Sequence, residues 1–138
     1  MNKKGFTLIE VILAIALVMI VSTIVISNMT DFGKDIKQND YDNLVKEILL
    51  AAEDYANSNA AVLNYVYGLA TSNSCECSKS NSRRYVTAKT LVDSGYIRGN
   101  NSSKDKLIDP RNNNEIGNTY YVTFCHNNEK LLTTFCNP

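Results

Sequence analysis

Proline and glycine are scarce. Two prolines and six glycines in 138 residues exclude collagen-like and proline-rich architectures. There is one histidine. The chain has no Gly-rich phosphate loop, no nucleophile elbow and no His-Glu-x-x-His pattern. No catalytic constellation can be read, and no residue set calls for a cofactor. Net charge is also missing, because 14 Lys+Arg balance 14 Asp+Glu. That argues against holding nucleic acid through bulk positive charge. The length allows one domain with an appendage, but not two full cores.

What is present is concentrated at the N-terminus. After Met1-Asn2-Lys3-Lys4-Gly5 comes Phe6-Thr7-Leu8-Ile9-Glu10, and Val11 to Ile26 carries no charge. As a helix, Phe6 to Ile26 reaches roughly 31 Å, close to the hydrocarbon thickness of a bilayer. Lys3 and Lys4 precede the span, so the positive-inside bias leaves the N-terminus in the cytoplasm and the body of the chain outside. A cleaved secretory signal has a shorter apolar core ending in a small-x-small step, and no clean Ala-x-Ala follows this one. Glu10 stands out. A carboxylate inside an apolar span costs roughly 2.5 to 3.5 kcal/mol on insertion scales. It either reaches water at the membrane face or has a partner.

Lys3-Lys4-Gly5-Phe6-Thr7-Leu8-Ile9-Glu10 followed by an apolar helix resembles the cleavage signature of type IV prepilins and pseudopilins. The resemblance covers roughly residues 1 to 30. It implies that a prepilin peptidase cuts between Gly5 and Phe6 and that Phe6 is N-methylated. It also implies that Glu10 neutralises the α-amine of a neighbouring subunit during assembly. An ion pair in lipid escapes most water screening, and either charge alone is costly. The implied partners are further copies of the chain, the peptidase, a pilus assembly platform and, before assembly, the membrane. The implied location is the cytoplasmic membrane for the precursor, then a cell-surface filament. Major pilin, minor pilin, pseudopilin and an unprocessed single-pass anchor with a small extracellular binding domain all fit this reading. The chain departs from many relatives in having no proline in the second half of the apolar helix. Gly33 leaves room for a bend or local melting near Ser27 to Gly33. No Leu-Pro-x-Thr-Gly-type sorting signal is present, unlike in covalently linked pili.

Further on, Tyr41, Leu44, Val45, Ile48, Leu49, Ala52 and Tyr55 fall at helical spacings. The pattern predicts one helix from Phe6 to Asn57, roughly 80 Å by rise per residue. A break follows at Asn57-Ser58-Asn59, and Ala60 to Leu69 favours a helical extension over a strand. Thr71 to Arg84 reads as a polar loop. Thr87 to Ser94 reads as a short helix with Thr87 as N-cap and Gly95 as stop. Thr119 to Cys125 and Lys130 to Cys136 alternate as strands around His126-Asn127-Asn128-Glu129. With the turn at Asn127-Asn128, Tyr120, Val122, Phe124, Leu131, Thr133 and Phe135 share the face packed on the helix. A third strand is expected within 96–118, at Lys106 to Ile108. The fold class is therefore α+β, a long N-terminal helix packed on a small C-terminal antiparallel sheet. The organisation is a 1–5 leader, a 6–30 membrane and assembly helix, and a 31–138 extracellular domain.

Cys75, Cys77, Cys125 and Cys136 lie outside in this topology, where disulfides persist. Three pairings are possible, and unpaired thiols or a zinc site of four thiolates, or of three plus His126, remain open. The resemblance implies a Cys125–Cys136 bond. The Asn127-Asn128 register opposes it, placing those residues about 20 Å apart, beyond the roughly 7 Å that a disulfide spans. In that register, Cys75 and Cys77 cannot reach both ends of the hairpin either. Charge is uneven along the chain. Residues 31–76 carry three Lys and eight Asp+Glu, and residues 79–111 carry eight Lys+Arg and three Asp. Solvated faces, contacts between stacked subunits, or a basic face of Arg83, Arg84 and Lys89 meeting DNA or another anionic surface all fit this pattern.

Overall fold

The computed structural model describes residues 7–128 and 130–137, with side chains described except at 23–31. The order of elements is α1 (Leu8–Ser58), α2 (Ala60–Tyr67), β1 (Tyr85–Thr87), α3 (Ala88–Asp93), β2 (Tyr121–Asn127) and β3 (Lys130–Cys136). The class is α+β, as the sequence predicts. The chain divides into two compact units, Met1–Lys37 and Gln38–Pro138.

In the first unit, α1 presents apolar side chains to the outside. Leu8 is 80% exposed and Leu17 is 64% exposed. An exposed apolar surface on this scale marks a place where another molecule or a membrane docks. The backbone is helical through Ser27 to Gly33, so the local melting for which Gly33 leaves room is not found. One glycine weakens a helix by only about 1 kcal/mol, and no proline removes a hydrogen bond. Among the described residues, no helix is long and apolar enough to cross a membrane. The expected span lies partly outside those residues.

In the second unit, α1 buries Tyr41, Leu44, Ile48, Ala51, Ala52 and Ala56, which recur at three and four residues as one face of a helix requires. Leu44, Ile48, Ala51, Ala52 and Ala56 form one core with Val62 and Val66 of α2, Leu91 of α3, and Val122, Phe124 and Leu131 of the sheet. Asn59 caps α2, its side chain accepting from the N–H groups of Ala61 and Val62. Thr87 caps α3 by accepting from the Thr90 N–H. At the other end of α3, Gly95 has φ +78°. There Tyr96 N–H donates to Leu91 C=O at 3.0 Å and Gly95 N–H to Val92 C=O at 3.0 Å. This is a Schellman stop, which needs the left-handed residue that glycine supplies without strain.

The sheet is antiparallel in the order β1-β2-β3. The third strand is Tyr85–Thr87, not Lys106 to Ile108; the latter region contributes only an isolated bridge between Ile108 and Glu115. Three residues are too few to display alternation, and Tyr85–Thr87 is held by pairing to β2, with Val86 opposite Val122. The hairpin register also differs from the expected one. The last pair is Asn127 with Lys130, and Phe124 faces Thr133 rather than Leu131. The shift is by two residues, so the predicted face survives: Val122, Phe124, Leu131, Thr133 and Phe135 remain on one side.

The new register resolves the cysteines. Cys75 bonds Cys125 and Cys77 bonds Cys136, with Cα separations of 5.4 and 5.7 Å. The family-style Cys125–Cys136 bond is not formed, and no thiolate is left for zinc. Cys125 lies opposite Leu132 and Cys136 opposite Tyr121. The two cysteines are thus roughly 14 Å apart, not 20 Å. Cys75 and Cys77, about 7 Å apart in extended chain, reach both once the length of each bridge is added. The expectation that they could not do so rested on the wrong register. The 71–84 segment consequently covers the sheet face opposite the helices, which is why Val122 to His126 are all buried.

Candidate assembly site

Thr7 immediately precedes α1. Its backbone N–H and its hydroxyl each donate to Glu10 Oε2 at 3.2 Å. The Thr7 carbonyl accepts from Glu10 N–H at 3.0 Å and from Val11 N–H at 3.2 Å. Thr7-x-x-Glu10 is the sequence form of a capping box, with the glutamate reaching back to the N-cap amide. Within a single chain, then, Glu10 is neither bare nor a plain solvent-facing charge. It satisfies an orphan donor at the helix N-terminus, where the macrodipole also favours a carboxylate. The motif is readable in the sequence as Thr followed three residues later by Glu. Gly5 and Phe6, the expected cleavage and methylation residues, lie outside the described residues. Around Glu10, the exposed Leu8, Ile9, Val11 and Ile12 surround one acid with apolar surface. A cation brought there by another molecule would meet a carboxylate in a poorly screened setting.

The basic residues divide into two kinds. Lys89 Nζ donates to Asp93 at 2.6 Å one turn along α3, so its charge is compensated locally. Arg83 and Arg84 have no carboxylate within ion-pair distance among the described residues. Arg83 sits 6.0 Å from the Tyr65 ring centroid, and Lys79 lies 4.6 Å from that of Tyr121. An anion-binding reading therefore rests on Arg83 and Arg84 rather than on Lys89.

Two polar arrangements carry no signal in the sequence. Asp109 is 1% exposed and takes a two-pronged contact from Arg111, Nε to Oδ1 at 3.0 Å and Nη2 to Oδ2 at 2.7 Å. The Arg111 guanidinium stacks 3.3 Å from the Tyr41 ring centroid, tying the 109–114 turn to α1. The Arg111 hydrogen bond holds the Asp109 carboxyl below the usual carboxylate range. Burial pushes the Tyr41 phenol up, against the opposing pull of Arg111. Asp-Pro-Arg alone does not signal this staple. The second arrangement is the buried His126, whose ring nitrogen Nε2 is 2.9 Å from the Leu69 carbonyl. It fastens the exit from α2 to β2. Among the described residues, no three His, Cys, Asp or Glu side chains cluster as a metal site.

The geometry defines an α+β protein whose first helix is apolar, exposed and capped by its own glutamate. Residues 1–26 match the family model for the prokaryotic N-terminal methylation motif. The chain thus carries the signature of type IV pilins and pseudopilins, which supports a pilin-like or pseudopilin precursor. That family is structural rather than enzymatic. Its signature implies a membrane-inserted precursor and a surface filament, with processing by prepilin peptidase. Comparison with curated proteins and with solved structures returns no match.

Proposed function

We propose that this chain is a structural subunit of a type IV pilus-like filament. It is made as a precursor, cut between Gly5 and Phe6, N-methylated at Phe6 and assembled through its apolar helix. Residues 1–5 are the leader, 6–30 the membrane and assembly helix, and 31–138 the extracellular domain. The observation that carries the reading is Glu10: a lone acid on an exposed apolar helix, inside a methylation motif that spans residues 1–26. Two disulfides support a body that works in an oxidising compartment. In assembly, the Glu10 carboxylate exchanges its contact with the Thr7 amide for the amine of an incoming subunit. The carboxylate then favours one axial stagger, because any other leaves two charges unpaired in apolar surroundings. The test is fractionation of cells by mechanical shearing. The chain should appear in sheared fibres from wild-type cells and be absent from them in cells lacking the prepilin peptidase. Equal release from both strains would favour an ordinary anchored protein and overturn the reading.

A further inference from the structure

The face of α1 opposite the core of the second unit carries a pattern that the assembly helix does not explain. Asp40, Asn43, Glu47, Leu50, Asp54 and Asn57 recur at three and four residues and are all exposed. They therefore form one stripe along the helix. Leu50 is 64% exposed, and the acids lie above and below it. From Gln38 to Ser58 the helix holds five acids and one cation, Lys46, and none of Asp40, Glu47 and Asp54 has an ion pair among the described residues. This is an apolar contact point inside an acidic frame, with nothing among the described residues to cover it.

The same unit bears the converse surface. Lys79, Arg83 and Arg84 fall within one short segment, and none has a carboxylate partner among the described residues. Half-buried tyrosines lie beside them. Lys79 is over the Tyr121 ring and Arg83 is near the Tyr65 ring. Tyr85 meets Tyr121 edge to face with centroids 5.7 Å apart. Each of these cation–tyrosine pairs offers aromatic area to a leucine and a cation to the acids that frame it. Interfaces place aromatic and arginine anchors at their centre and match charge across the contact.

We propose that the Asp40–Glu47–Leu50–Asp54 stripe of one subunit docks on the Lys79–Arg83–Arg84 surface of a second copy of this chain. Both surfaces are present on every copy and differ from each other, so the contact is heterologous. Repetition of such a contact builds an open helical array wherever its rotation does not close into a ring, as a filament requires. The proposal deepens the filament reading and rests on it. It adds a second determinant of subunit placement, outside the apolar helix and dependent on salt.

The experiment places a photo-crosslinking phenylalanine at position 50 of the full chain in living cells, and maps the joined peptides by mass spectrometry. Position 50 is exposed, so the replacement leaves the core intact. Crosslinks to a second copy within residues 79–85 are expected. Glu47→Lys with Asp54→Lys should reduce their yield by about tenfold or more. Arg83→Glu with Arg84→Glu should do the same. Cells making both sets of substitutions in one chain should recover most of the yield. Crosslinks to another peptide, to another protein, or to nothing would overturn the proposal. So would an unchanged yield in the charge-reversed chains. Whether the chain enters sheared fibres is scored separately, so the filament reading can fail without being confused with failure of this contact.

Discussion

Removing one disulfide while keeping the other gives a quantitative test of the fold. The bonds join residues separated by 50 and 59 positions. Taken alone, each would close a long loop, and the chain-entropy relation assigns each roughly 4 kcal/mol. The loops overlap, however. With Cys75–Cys125 in place, the path from Cys77 to Cys136 is only the short step from Cys75 to Cys77 plus the hairpin from Cys125 to Cys136. That is an effective loop of about 13 residues, and the same relation gives it about 3 kcal/mol. Replacing Cys77 and Cys136 together by serine should therefore destabilise the folded unit by about 3 kcal/mol, lowering Tm by roughly 15 °C for a unit of this size. Replacing all four cysteines should cost about 7 kcal/mol and leave little folded protein. The assay is thermal and urea unfolding of the full chain in mild detergent. If the first double replacement costs less than about 1 kcal/mol, or the four-serine chain is no less stable than the two-serine chain, the coupled-loop reasoning is refuted.

Three further outcomes follow from the same structure. Ile48→Ala empties a site that is 0% exposed and should cost about 2 to 5 kcal/mol in urea unfolding, whereas Leu50→Ala on the opposite face should change stability by less than about 0.5 kcal/mol. Because the folded-state carboxyl of Asp109 is depressed, its contribution is present above the unfolded value, near about 3.9, and is lost as pH falls through the lower folded value. Arg111→Met should weaken the protein at neutral pH and flatten or reverse that acid loss in pH-dependent unfolding; an unchanged acid profile would show that the staple is not the source. Glu10→Ala should still be inserted and cleaved but should enter sheared fibres poorly, and normal incorporation would refute the pairing role.

The residues whose placement is legible in the sequence share a reason. Tyr41 to Tyr55 repeat at helical spacing over several turns, so the buried face of α1 can be read from periodicity alone. Thr87 and Gly95 stand at the two ends of α3 because capping chemistry is local. The inward face of the hairpin is also legible, since alternation survives a two-residue shift. The register is not, because Asn127 and Asn128 are both good turn residues and nothing local separates a turn on one side from a turn on the other. That single ambiguity carries into the cysteines, whose pairing depends on which residues stand opposite. β1 is hidden by its length, and the Asp109–Arg111–Tyr41 staple by the distance in sequence between the turn and the helix. The Thr7–Glu10 cap is written plainly in the sequence and overshadowed by the apolar run after it.

The central claim is that this chain is a processed precursor, and its mature N-terminus tests that most directly. Intact-mass and terminal-peptide mass spectrometry of the chain from cells with an active prepilin peptidase should find a terminus at Phe6 carrying one added methyl group. A chain that still begins at Met1 in those cells would contradict the account.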